Sequence, residues 1–258
     1  MTTLASHSPV APLDSALEPP PTEVSPRTAA VVAGVSYVVL FALGILANFV
    51  VREGLVVADD AATTAANLAE SEGLFRLGML AFLVIFVLDI VVAWALHVVF
   101  RSTNHDLSLV AAWSRLIYTA FLGVAIVFFF QALQLLGGSS FLDAFTTEQL
   151  HAQALVALDT FNSTWLIGLV AFGLHLVLLG WIIIRSGVAP RALGVVLVVA
   201  GVAYMADTTA HTMLNNYADY EAIFVTMVAI PAVVAEGWFG LWLLLRAGRS
   251  RSTPDRNS

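Results

Sequence analysis

Cysteine and lysine are both absent from the 258 residues. Without cysteine there are no disulfides, no thiolate metal ligands and no covalent c-type haem attachment. Arginine carries all the basic charge, which reads as compositional bias rather than function. Charge of either sign is scarce: 11% of residues, against about 25% in a typical soluble domain. The net charge of −7 argues against nucleic acid as a partner, since that demands basic patches. Also missing are a nucleophile elbow, a phosphate loop, a dinucleotide fingerprint and an H-E-x-x-H metal motif.

What fills the chain instead is apolar surface, at 59% of residues. A soluble core of this size cannot hide that much, whereas a lipid bilayer can. Six apolar runs stand out: Thr28–Val51, Leu74–Phe100, Leu109–Leu136, Thr164–Ile184, Leu193–Met213 and Ala222–Leu245. Each has about 20 residues or more, enough to cross ~30 Å of hydrocarbon at 1.5 Å per residue. Short links join several of them, so neighbours run antiparallel. The expected fold is an all-α integral membrane bundle of about six transmembrane helices.

Arginine placement orients the bundle. Arg27, Arg101, Arg185, Arg191, Arg246, Arg249, Arg251 and Arg256 share one side, which the positive-inside rule puts in the cytoplasm. Both termini are then cytoplasmic, and a multi-pass protein of a bacterial inner membrane (the plasma membrane) is expected. Residues 1–27, rich in Pro, Ser, Thr and Ala, read as a disordered cytoplasmic tail, and residues 246–258 as a basic one. The first run follows no basic n-region and is too long for a signal-peptide core, so it reads as a retained anchor. The transmembrane domain spans 28–245.

The opposite side carries an acidic excess with only Arg52 and Arg76. Two short helices are expected there. Asp60–Glu70 begins with an N-cap residue and continues in helix formers. Phe145–Asn162 spaces Leu150, Ala154, Leu158 and Phe161 helically, predicting an amphipathic helix lying over the outer face. Arg52 and Arg76 are expected to pair with Glu53, Glu70 or Glu72. The two three-span halves show no internal identity.

Ionisable groups inside a membrane cost about 2.5–3.5 kcal/mol each on insertion scales, so each needs an account. His175 lies ten residues before Arg185 and Glu236 ten before Arg246, hence ~15 Å deep. Asp89 lies twelve before Arg101, or ~18 Å deep. Three groups from three helices thus fall in one layer near the midplane. Small residues (Ala229, Ala232, Gly240) flank Glu236, and Pro231 frees a backbone carbonyl one turn earlier. Asp207 and His211 are i,i+4 neighbours nearer the outer surface, with Tyr204 on the same face. Arg115, a turn or two inside its span, either snorkels to the cytoplasm or pairs with Asp89 or Glu236. Such groups either form a site or hold helices together as polar glue. Gly173 with Gly180, and Gly194 with Gly201, read as packing faces.

Three stretches carry a resemblance. They are Val51-Arg52-Glu-Gly-Leu-Val-Val-Ala-Asp59-Asp60 through Asn67, Glu70 and Glu72 to Phe75-Arg76; Phe172-Gly173-Leu-His175 through Gly180, Arg185, Pro190-Arg191 and Gly194 to Gly201 and Tyr204; and Pro231 through Glu236 to Leu244. Together they resemble a bacterial membrane family named domain of unknown function 4386, across the whole membrane region. The resemblance implies a multi-pass protein whose family pattern includes counterparts of Arg52, Asp60, Asn67, Arg76, His175, Pro190 and Glu236. It implies no activity and no cofactor. Three readings stay open. The first is binding or transport of a small polar or amphipathic ligand, including a lipid, at the midplane. The others are an intramembrane enzyme using Asp89, His175 and Glu236, and a structural component.

Overall fold

The computed structural model describes residues 23–245 and residue 247, and among them it is helical with no strand. Of the tails expected at 1–27 and 246–258, residues 1–22, 246 and 248–258 lie outside these residues. Six helices are long and apolar enough to cross a membrane: Pro26–Leu55, Glu72–Phe100, His105–Leu136, Thr147–Ser186, Arg191–Met213 and Glu221–Leu245.

Local chemistry starts and stops them. In the first, α1 (Pro26–Gly44) starts with Pro26 at its N-terminus behind Ser25, whose hydroxyl accepts from the Thr28 amide. It runs on as a π-helical segment, Ile45–Arg52, and ends in the turn α2 (Glu53–Leu55). Next, α3 (Ala61–Glu70) is capped by Asp60, and α4 (Glu72–Phe100) follows after Ser71. Asn104 caps α5 (His105–Leu136). Thr146 and Gln149 form a capping box on α6 (Thr147–Ser186), which stops at Gly187 with φ of 67°. Pro190 precedes α7 (Arg191–Met213), and α8 (Glu221–Leu245) runs through Pro231 without interruption.

One expectation fails here. The segment 145–162 is not a separate helix lying over the outer face: from Thr147 it is the first half of α6, a single helix of 40 residues. No Gly or Pro occurs between Thr147 and Ile167, so nothing breaks the backbone ladder. The apolar stripe is nonetheless used. Ala154, Leu158 and Phe161 are buried, and α3 packs against α6.

The spans close into a ring. Each packs on its chain neighbour (α4 on α5, α5 on α6, α6 on α7, α7 on α8), and α1 packs on both α4 and α8. Backbones touch between α6 and α7: a Cβ on Gly173 would meet the Gly201 carbonyl oxygen at 2.5 Å, and one on Gly180 that of Gly194 at 2.5 Å. Near the Arg-rich end, Arg27 closes the ring by donating to the carbonyls of Leu243, Leu244 and Ala247 at the end of α8. Aromatic rings fill the opposite half, where Phe129 stacks on Phe161 at 4.0 Å.

Candidate functional site

Six of the interior polar groups come from six different spans: Tyr37, Asp89, Arg115, His175, Tyr204 and Glu236. Arg115 is the hub, and at 2% exposure it does not snorkel. Its Nε and Nη2 both donate to Oδ1 of Asp89, at 2.9 and 2.5 Å. Its Nη1 donates to the Tyr37 hydroxyl at 3.0 Å and lies 3.3 Å from His175 Nε2. Nη1 holds two N–H groups, so only one of the five guanidinium N–H donors lacks a partner in this set. The guanidinium carbon also sits 5.2 Å from the ring centres of Tyr37 and Phe172, a cation–π arrangement on two sides.

His175 takes a single tautomer from its neighbours. Nδ1 faces the Ala111 carbonyl at 2.8 Å, and a carbonyl can only accept. Nε2 faces Arg115, which can only donate. The ring is therefore the neutral, Nδ1-protonated form. The charge at the hub is one carboxylate against one guanidinium, and the hydrogen bonds to Tyr37 and His175 offset part of the desolvation cost.

Glu236 stands apart from this hub. Its Oε1 accepts from the Tyr204 hydroxyl at 3.3 Å, and its carboxyl lies inside the bundle although the residue as a whole is partly exposed. Arg115 is within Coulombic range of it but makes no bond to it. Phe172 lies between the two groups, its ring 5.9 Å from His175 and 5.4 Å from Tyr204. Tyr118 packs on the same ring at 4.9 Å and accepts from the Trp165 indole at 3.3 Å. The interior polar groups thus form two units, an ion-paired hub and a carboxyl bonded only to Tyr204.

Asp207, the i,i+4 neighbour of His211, is bonded by Tyr217 from the turn that follows. The Tyr217 hydroxyl donates to Asp207 Oδ1 at 2.6 Å, and its ring packs edge-on against His211 at 4.5 Å. Desolvation and the Asp207 carboxylate push the Tyr217 phenol above its ordinary value. Tyr217 reaches both because it sits in the turn just beyond α7 and folds back over that face.

Most residues of the outer motif hold the chain in place. Asp60 accepts from the Thr63 amide at 2.9 Å and hydroxyl at 2.7 Å, which holds its carboxyl below the usual range. Asn67 donates to the Leu55 carbonyl at 3.1 Å, tying α3 to the end of the first span. Arg76 pairs with Glu72 at 2.7 Å on the surface, where such pairs contribute little. Arg52 reaches Glu53 at 3.4 Å and Asn162 at 3.5 Å, while its Nε and the oxygen of Asn48 are buried without a partner.

Tyr37, Tyr118, Phe172 and Asn162 are the site residues that sequence reasoning missed. The available signal was modest: a tyrosine inside a span must bring its hydroxyl a partner. Among the described residues no group of three or more His, Asp or Glu side chains is arranged to hold a metal.

No solved structure matches the chain. An uncharacterized protein of Archaeoglobus fulgidus is similar, 26% identical over 168 residues, which cover 65% of this chain and 82% of the relative. Residues 32–247, from early in the first span to the end of the last, match the domain of unknown function DUF4386, and the chain belongs to that family.

Proposed function

We propose that this membrane protein binds a small polar or amphipathic molecule in the middle of its helix ring, with Glu236 as the group that meets it. The observation that carries this reading is the unequal bonding of the interior carboxyls. Asp89 is neutralised by Arg115 at bonding distance, whereas Glu236 is held only by a tyrosine hydroxyl at 3.3 Å. Polar glue needs each group matched to a partner, and a spare carboxyl costs stability unless something complements it. The complement is a ligand bearing a positive charge or strong hydrogen-bond donors, with an apolar body for the Phe172 and Tyr204 rings. Arg115, Asp89, His175 and Tyr37 then act as the frame that holds that wall. Arg52, Asp60, Asn67 and Arg76 frame the outer mouth, and Asp207 and His211 flank it.

An intramembrane enzyme using Asp89, His175 and Glu236 fits less well. Asp89 is committed to Arg115, and both nitrogens of His175 are bonded, so neither is available as an acid or base. The Arg-rich end faces the cytoplasm of a bacterial inner membrane in this reading. Transport adds the requirement that the site face each side in turn.

Dicyclohexylcarbodiimide, an apolar reagent that modifies carboxyls within membranes, tests the site in the intact purified protein. Peptide mapping is expected to find the adduct on Glu236 and not on Asp89, with protection by the amphipathic cation tetraphenylphosphonium. No adduct on Glu236, or equal labelling of both carboxyls, overturns the reading. Labelling that the cation leaves unchanged shows an accessible carboxyl without a binding site, and also overturns it.

A further inference from the structure

A second candidate site lies away from the ring's centre, at its Arg-rich end. A groove of about 420 Å³ opens between the start of α5 and the end of α6. That volume falls within the roughly 300–1,000 Å³ of small-molecule sites. Its walls divide by chemistry. Leu107 and Ile182 supply apolar surface, Thr103, Asn104 and Ser186 supply polar groups, and Trp181 and Arg185 complete the lining. No carboxylate lines it.

Arg185 differs from Arg27 and Arg101 at this end. Arg27 is committed to backbone carbonyls of α8, and Arg101 is paired with Glu23 at 2.5 Å. Among the described residues no carboxylate lies within salt-bridge distance of Arg185, and its guanidinium sits 5.7 Å from the Trp181 ring centre. Trp181 is half exposed one turn further into the membrane span. Tryptophan at that depth marks the headgroup level of a bilayer, and arginine with hydroxyl and amide groups beside it suits a phosphate.

From this we propose that the groove is a specific site for one anionic phospholipid. Its phosphate and headgroup meet Arg185, Thr103 and Asn104, and its glycerol and upper acyl chains lie along Trp181, Leu107 and Ile182. The occupant is a lipid rather than a soluble phosphate because apolar side chains share the lining and Trp181 lies on the membrane side. An anionic lipid is favoured over a zwitterionic one because a choline cation would meet Arg185 with no carboxylate to hold it. This site is independent of Glu236.

Native mass spectrometry of the full chain in neutral detergent, titrated with phosphatidylglycerol or phosphatidylcholine, reads the site directly. The protein is expected to retain phosphatidylglycerol preferentially. Arg185→Gln should weaken that binding about tenfold, as expected for losing a charge-assisted hydrogen bond. Arg185→Lys should keep most of the preference, and Arg191→Gln, outside the groove, should leave it unchanged. Equal retention of the two lipids by the wild-type protein overturns the proposal without any variant. So does equal weakening by Arg185→Gln and Arg191→Gln, which would mean diffuse attraction to a basic face. Displacement of the lipid by glycerol 3-phosphate at comparable concentration would identify a soluble-phosphate site and overturn the lipid assignment.

Discussion

Arg115 directs two of its nitrogens onto the same oxygen of Asp89, at 2.9 and 2.5 Å, joining α5 to α4 in the interior of the ring. Both residues are 2% exposed. Breaking one partner of a buried pair leaves an uncompensated charge, which costs about 3–5 kcal/mol, while replacing both by apolar groups of similar volume is often near neutral. Asp89→Asn and Arg115→Met are each expected to lower the thermal midpoint in detergent strongly. The double variant Asp89→Leu with Arg115→Met should recover most of it. Single variants as stable as wild type would show that the pair holds nothing.

The α6–α7 seam depends on the absence of side chains at four glycines. A methyl at Gly173 would press on the Gly201 carbonyl at 2.5 Å, and both helices must part to admit it. Gly173→Ala should therefore destabilise by about 1–3 kcal/mol, the usual range for overpacking. Gly44→Ala, where nothing lies within 4 Å, serves as the control and should be neutral or slightly stabilising. Chemical unfolding in mixed micelles compares the two.

Asp60 gives the outer helix a dependence on acid. Its carboxyl is held low by the Thr63 amide and hydroxyl, so the folded form binds its proton less readily than the unfolded chain does. The stabilisation is present in full above the ordinary aspartate pKa of about 3.9 and is lost as pH falls through the lowered value. Hydrogen exchange of the α3 amides, corrected for intrinsic rates, should accelerate over that interval in the wild type. In Asp60→Ala the same amides should be faster at neutral pH and show no such step. A wild type without the step removes the cap's role.

Topology is open to a direct measurement because the native chain has no thiol. Single cysteines at Ser102 and Ser186 should be labelled by an impermeant maleimide only from the cytoplasmic side of cells or inverted vesicles. Cysteines at Asp60 and Ser139 should be labelled only from the opposite side. Labelling of Ser102 and Ser139 from the same side would break the six-span plan.

The membrane plan was legible residue by residue, because a span is a local property. Twenty apolar residues need a bilayer wherever the rest of the chain goes, and Asp60 caps its helix through a bond to the amide three residues on. Counting inward from the arginines gave an expected layer of Asp89, His175 and Glu236, and their membership of different helices was legible. Partnership was not. Arg115 lies 26 residues from Asp89, 60 from His175 and 78 from Tyr37, and which of them it meets depends on how each helix rotates about its axis. The ring closure of α1 against α4 and α8 sets that rotation by packing, and hydropathy carries no record of it. The same limit explains Tyr217, which reaches Asp207 through a turn whose path depends on the helices it joins. The sequence alone determined six apolar spans, the cap at Asp60 and which spans carry ionisable groups. Tertiary structure alone decided that one carboxyl would be bound to arginine and the other held only by a tyrosine, because pairing across helices is set by their packing.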